Sequence, residues 1–193
     1  MKRFVCWMAV SLLLTGGLAS WWWSTWRTEH SQDANILAAT RRYGVDPALV
    51  KAVIWKESRF DPRVRGRVGE AGLMQLQDAA AQEWAEAERC YPLPEERLFH
   101  PLTNVMAGTW YLRKVLRRYA RTDNPVAYAL AEYNAGRANV IKWCQGPSAT
   151  NSAAFIDAIG FPATRSYVLS IQQRRERYLG DFPQVASNGR TSR

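Results

Sequence analysis

Apolar residues recur at spacings of three and four along most of the chain, and runs that alternate with period two are nearly absent. That periodicity buries one face of a helix, so the expected class is all-α. Ile36, Leu37 and Tyr43 mark a first helix, stopped by Gly44. Asp46-Pro47 starts a second, with an N-cap acceptor and a proline at the first helical position, and its pattern runs to Ser58. Asp78 is placed to cap a helix carrying Trp84. His100-Pro101 opens a long one through Val105, Trp110, Leu112, Val115 and Tyr119. Asn124-Pro125 repeats the cap-plus-proline signature and leads to Tyr133, where Asn134-Ala135-Gly136 ends the helix. Asn139 to Trp143 forms a short helix, and Pro162 starts the last, through Tyr167, Ile171 and Tyr178 to Gly180. The glycine-rich stretch from Arg63 to Gly72 admits a small hairpin.

The N-terminus breaks this pattern. After Lys2 and Arg3, residues 4–26 carry no charge and include Phe4, Val5, Trp7, Met8, Val10 and Leu12-Leu13-Leu14. A basic start followed by an apolar run is an export signal. Gly17-Leu18-Ala19 offers a small-residue cleavage site before Ser20. A run of ~20 apolar residues also spans a bilayer if it is retained. Trp21, Trp22, Trp23 and Trp26 would then form an aromatic belt at the outer interface, and the retained anchor is the reading favoured here. Both readings put the domain outside the cytoplasm. The expected organisation is a signal or anchor at 1–26, a polar linker at 27–33, one domain at 34–180 and a disordered tail at 181–193.

Composition changes this picture little. The formal charge of +9 attracts polyanions and also favours solubility. Nucleic acid is the poorer partner, because most tryptophans lie in the N-terminal segment and Arg174, Arg175 and Arg177 read as a solvated helix end. Cys6 lies inside the apolar run. Cys90 and Cys144 form an even pair in an oxidising compartment, which permits a disulfide or leaves two buried thiols. His30 and His100 are the only histidines and have no ligand-like spacing, so neither a metal nor another cofactor is expected.

One residue is out of place. On the helix from Pro47, positions 50, 53, 54 and 57 share a face, and the first three are Val50, Val53 and Ile54. The fourth is Glu57, while Lys51 and Lys56 fall away from that stripe. A carboxylate on a core-facing stripe escapes the cost of burial by a raised pKa, which a general acid near neutral pH requires. The bland alternative is a helix-end glutamate that bends to solvent or pairs with Arg59 or Arg63. Two segments keep it company. Gly69-Glu70-Ala71-Gly72-Leu73-Met74-Gln75-Leu76 suits a tight turn, and Gln75 offers donors and an acceptor to sugar hydroxyls and acetamides. Glu132-Tyr133-Asn134-Ala135-Gly136 ends a helix with polar groups beside a glycine.

These segments, with Glu57-Ser58-Arg59-Phe60-Asp61-Pro62, Asn104, Gly108, Tyr111-Leu112, Val140, Trp143, Phe155-Ile156 and Thr164-Arg165-Ser166-Tyr167-Val168, resemble the soluble-type lytic transglycosylase catalytic domain of the lysozyme-like superfamily. The resemblance covers roughly residues 34–178, with the motifs in the family's order. It implies a lysozyme-like single globular domain acting on the glycan strands of peptidoglycan. Glu57 matches the sole catalytic carboxylate, which protonates the bond between N-acetylmuramic acid and N-acetylglucosamine. The same residue then acts as base on the muramoyl C6 hydroxyl and closes a 1,6-anhydro ring. Most glycosidases use two carboxylates; in this family the substrate's acetamide stands in for the second. Gln75, Tyr133 and Asn134 match positions lining the substrate-binding groove, and Ser58 and Met74 match motif positions that support it.

The chain departs from the family's pattern at four places. Gly66 stands where a serine is usual, Glu70 replaces a small apolar residue, Gln77-Asp78 stands where a Met-Pro pair is common, and Glu132 precedes Tyr133 in place of an alanine. Glu70 and Glu132 are extra acids near the motifs, and either could favour a hydrolase on the same fold, similar to goose-type lysozyme. A degenerate wall-binding scaffold is disfavoured by intact Glu57, Gln75, Tyr133 and Asn134. General wall turnover and local opening for a cell-envelope machine need the same chemistry.

Overall fold

A computed structural model describes residues 22–183. The apolar run up to residue 21, with Cys6, Trp21 and the small-residue cleavage site, and the tail from 184 lie outside the described residues. Helix α1 is described over residues 22–30. It is followed by α2 (Asp33–Tyr43), α3 (Pro47–Ser58), α4 (Asp78–Ala87), α5 (Pro101–Arg118), α6 (Pro125–Ala135), α7 (Arg137–Trp143), α8 (Ser152–Ala158) and α9 (Pro162–Tyr178). Short 3-10 turns occupy Glu95–Phe99, Gly146–Ala149 and Leu179–Asp181. Among the described residues there is no strand, so the class is all-α. The expected hairpin is reduced to two isolated antiparallel bridges, Arg65 to Ala71 and Ala71 to Leu76. The loop from Val64 to Leu76 therefore folds on itself by backbone hydrogen bonds without forming a ladder.

Local chemistry sets most helix ends. Gly44 adopts φ 66° and closes α2 by donating to Thr40. Asp46 caps α3, its carboxylate accepting from Ala48 N at 2.9 Å, with Pro47 behind it. Two expected caps differ. Asp78 is the first residue of α4, preceded by an extended Gln77, and Asn124 starts α6 without a side-chain cap. Pro125 suffices there, because its fixed φ suits the first helical turn. The last helix ends at Tyr178, and Gly180 lies within the following 3-10 turn. Helix α8 has no counterpart in the sequence-based reading. Its cap is Asn151, whose side chain accepts from Ala154 N at 2.9 Å.

Helix α3 runs through the centre, packed by α2 and α9. Val50, Val53 and Ile54 are wholly buried, as their shared face requires. Lys51 corrects the one-stripe reading: it too is 0% exposed. Its ammonium lies 2.8 Å from Asp33 Oδ1 and 2.7 Å from Asp181 Oδ2, over the rings of Tyr178 and Phe182. Paired charges make such burial tolerable. The same contacts correct two segment expectations. Residues 27–30, expected to be a linker, are helical, and His30 and Glu29 contact Asp33 and Arg174. Asp181 and Phe182, expected to open the tail, are packed against the domain.

Cys90 is exposed and Cys144 half-buried, and both are free thiols, so neither the bridge nor a pair of buried thiols is realised. The two sit in separate places, after α4 and at the end of α7.

Candidate active site

Glu57 occupies the last turn of α3, where the chain stops abruptly. Arg59 and Phe60 both adopt left-handed backbone angles, φ 53° and 67°. Residues with a Cβ resist that region. Two contacts hold them there: the Arg59 guanidinium lies 3.7 Å from the centroid of the Trp55 ring, and Phe60 is buried in the core. The reversal leaves Glu57 at the rim of a cavity of about 510 Å³, lined also by Gly66, Arg67, Glu70, Gln75, Tyr111, Glu132, Tyr133 and Asn134.

The opposite wall is the glycine-rich loop, and its placement follows from α5. Asn104 is wholly buried. Its Nδ2 donates to Ala71 O and Leu98 O, both at 2.8 Å, and its Oδ1 accepts from Met74 N at 2.8 Å. Every polar atom of that side chain is used, which fixes the loop. Gly72 lies against it with φ 75°, where a Cβ would fall 2.9 Å from Asn104 Cγ. Gly108, one turn along α5, leaves room for Met74: a Cβ there would lie 3.0 Å from Met74 Cε. These two glycines permit close approach and have no chemical role.

Of the residues expected from sequence, Glu57, Gln75, Tyr133 and Asn134 meet in the cavity. Ser58 and Met74 do not line it. Ser58 Oγ donates back to Ile54 O at 3.1 Å, and Met74 is fully buried beneath the wall. Gln75 offers less than its side chain suggests. Its Nε2 donates to Val64 O at 2.9 Å and Gly72 O at 2.8 Å, which leaves only Oε1 for a ligand. The Tyr133 hydroxyl donates to Met74 O at 2.7 Å and so joins α6 to the loop. Asn134 Oδ1 accepts from Thr164 Oγ1 at 2.8 Å, which leaves its amide donors for the cavity.

The Glu57 carboxyl is pushed up to about 7, chiefly by burial. Three neighbours modify that effect. The Tyr167 hydroxyl donates to Glu57 Oε1 and opposes the rise, Glu70 adds to it through like charge, and Lys56 opposes it. Tyr167 lies within the Thr164-Arg165-Ser166-Tyr167-Val168 motif, but nothing in its local spacing reveals that it meets Glu57 from α9. Its phenol is itself held well above the ordinary range by burial and by the adjacent carboxyl.

The two extra acids separate clearly. Glu132 is 3% exposed; its carboxylate takes Arg118 Nη1 on one oxygen and the Tyr119 hydroxyl, at 2.5 Å, on the other. Arg118 and Tyr119 neutralise it, whereas the like charge that raises Glu57 comes from Glu70, which shares the cavity. Among the described residues no cluster of histidine, cysteine or acid side chains could hold a metal ion.

The sequence and the all-α scaffold that carry this carboxyl are similar to those of known proteins. The soluble lytic murein transglycosylase of Salmonella typhimurium is 33% identical over 138 residues, covering 68% of this chain and 20% of the relative. A membrane-bound lytic murein transglycosylase F of Desulfosudis oleivorans is 35% identical over 105 residues, covering 53% and 21%. The lytic transglycosylase Slt of Pseudomonas aeruginosa, solved as an inactive mutant, superposes with a TM-score of 0.73 at 25% identity, over 80% of this chain and 25% of that one. The chain thus spans a fifth to a quarter of the length of these relatives. The sequence profile of the family described as Transglycosylase SLT domain matches residues 34–156, so that the chain belongs to this family.

Proposed function

We propose that this chain is a peptidoglycan lytic transglycosylase, cleaving the glycosidic bond between N-acetylmuramic acid and N-acetylglucosamine without water. The observation that carries the reading is Glu57: a carboxyl with its pKa raised to about 7, facing a groove of about 510 Å³. At neutral pH a large fraction of it is protonated, as a general acid requires. Glu57 gives its proton to the glycosidic oxygen as the bond to the muramoyl C1 breaks. The C6 hydroxyl of the same sugar then attacks C1, and its proton goes to the Glu57 carboxylate. The proton count closes, Glu57 is restored, and the product carries a 1,6-anhydro ring.

The groove lining fits a sugar chain. Gln75 Oε1 can accept from a hydroxyl or an acetamide N–H, Asn134 can donate, and Tyr111 and Tyr133 give apolar ring surface. The names of the relatives, murein transglycosylases both soluble and membrane-bound, support a place in the cell envelope. Residues 4–26, uncharged throughout, support a retained anchor, with Trp22, Trp23 and Trp26 exposed on α1 as an interfacial belt. No helix among the described residues is itself long and apolar enough to cross a membrane.

The test is product analysis by mass spectrometry of digested peptidoglycan, with wild type and Glu57→Gln run together. Anhydro ends from wild type and none from the variant are expected. Reducing ends alone would replace transglycosylation by hydrolysis, and undiminished cleavage by Glu57→Gln would remove that residue from the chemistry.

A further inference from the structure

The Gly66–Glu70 corner differs from the resembled pattern at both ends, and the two departures fit each other. A Cβ on Gly66 would lie 2.9 Å from Glu70 Cδ and nearer still to Oε2. The carboxylate of Glu70 therefore fills the space in which the side chain of a serine at 66 would start. Backbone bonds close the corner around it: Gly66 N donates to Glu70 O at 2.7 Å, and Val68 N donates to Glu70 Oε2 at 3.1 Å. The carboxylate is half-buried and lines the same cavity as Glu57 and Gln75.

We propose that Glu70, seated over Gly66, is a positioning residue for the reaction: its negative charge keeps the proton on Glu57 until the glycosidic oxygen takes it. This inference rests on the reading of Glu57 as the acid. The groups bearing on Glu57 come from four elements. Lys56 lies on its own helix, Tyr167 reaches it from α9, Tyr133 stands beside it on α6, and Glu70 acts from the loop. Arg67 and Glu132 also line the cavity, but Glu132 is bound to Arg118 and Tyr119. Glu70 thus raises Glu57 through like charge, in addition to burial. Like charge disfavours ionisation of a neighbouring carboxyl. Once Glu57 has lost its proton, the same repulsion makes it a better base toward the C6 hydroxyl, so one charge serves both half-reactions.

A purely structural Glu70 would only accept the Val68 N–H and close the corner. Glu70→Gln separates the two roles, because the amide oxygen retains the acceptor and loses the charge. The readout is the pH profile of kcat/KM for release of anhydro-muropeptides. Above the Glu57 pKa the rate falls in wild type. In Glu70→Gln this alkaline limb moves to lower pH, so that one pH unit above the wild-type midpoint the rate, relative to its own acidic plateau, drops about threefold further. Glu70→Asp returns the limb toward wild type. Gly66→Ser displaces the carboxylate and moves the limb as Glu70→Gln does. If Glu70→Gln is too weak to profile, NMR titration of the Glu57 carboxyl carbon reads the same acidic shift without turnover. An unmoved limb, or an unmoved titration where turnover is lost, overturns the proposal. It is also overturned if wild type yields reducing ends that vanish in Glu70→Gln, since Glu70 would then be activating water. Full activity of Glu57→Gln with Glu70 intact defeats the underlying reading instead, so the two failures are distinct.

Discussion

Lys51 and Glu57 stand six residues apart on one helix, and the protein treats the two charges in opposite ways. Lys51 is surrounded by compensation: two carboxylates within 2.8 Å, His30 Nδ1 at 3.2 Å, and two aromatic rings. Glu57 has one phenol donating to it, a weak opposing influence from Lys56, and another carboxylate across the cavity. Glu132, in the same cavity, resembles Lys51 in being neutralised, by Arg118 and Tyr119. Burial alone therefore does not mark a working residue. A buried charge with full partners holds elements together, whereas one denied a counter-charge has its proton affinity raised and is suited to proton transfer.

The largest expected break in that contrast is chemical. Glu57→Gln removes the one group that gives and takes back a proton in the proposed reaction, and cleavage should fall by about 10²–10⁴-fold with the fold intact. Muropeptide release and circular dichroism on the same sample check both halves. Lys51→Met should do the reverse. It strands Asp181 and leaves Asp33 with only His30, and stability should drop by about 3 kcal/mol, read by urea unfolding. Turnover per folded molecule should stay near wild type, since Lys51 lies outside the cavity. A Lys51→Met protein as stable as wild type would show that the compensated charge contributes nothing.

A finer test uses pH. The folded-state pKa of Glu57, about 7, exceeds the reference 4.5, so the folded state holds this proton more tightly than the unfolded state does. The contribution is present below about 4.5 and is lost as pH rises through about 7. Glu57→Gln should therefore be more stable than wild type by up to about 3 kcal/mol at pH 8, with the gain fading toward pH 4.5. Matched denaturation curves at the two pH values decide; a constant difference would mean that burial does not tax the carboxylate.

How much of this was readable beforehand follows from where the partners lie in the chain. The helices could be read because caps and periodicity are local: Gly44, Asp46-Pro47 and Pro101 act within a few residues of themselves. Glu57 was legible for the same reason. Lys51 was misread because its compensation comes from Asp181, 130 residues away, and from Asp33 on another helix. The Gln75 donors look free in sequence and are spent on Val64 and Gly72, because the loop folds back on itself. The harmlessness of Glu132 depends on α5 presenting Arg118 and Tyr119, and no spacing within the Glu132 motif signals that.

Tyr167 gives the smallest effect and the sharpest comparison with Glu70. Its hydroxyl donates to Glu57 Oε1 from α9, and this bond favours the ionised carboxylate more than the acid. Tyr167→Phe removes the donor and keeps the ring, so Glu57 should hold its proton more tightly still. The alkaline limb of the pH profile should move up, opposite in sign to Glu70→Gln, and one unit above the wild-type midpoint the relative rate should rise about two- to threefold. Stability should fall by about 0.5–1.5 kcal/mol, the usual loss for one hydrogen bond. Shifts of opposite sign from substitutions at two neighbours of one carboxyl cannot come from a general loosening of the site, which would move both limbs the same way. If Tyr167→Phe and Glu70→Gln shift the limb in the same direction, the electrostatic account of Glu57 fails, whatever their effects on rate.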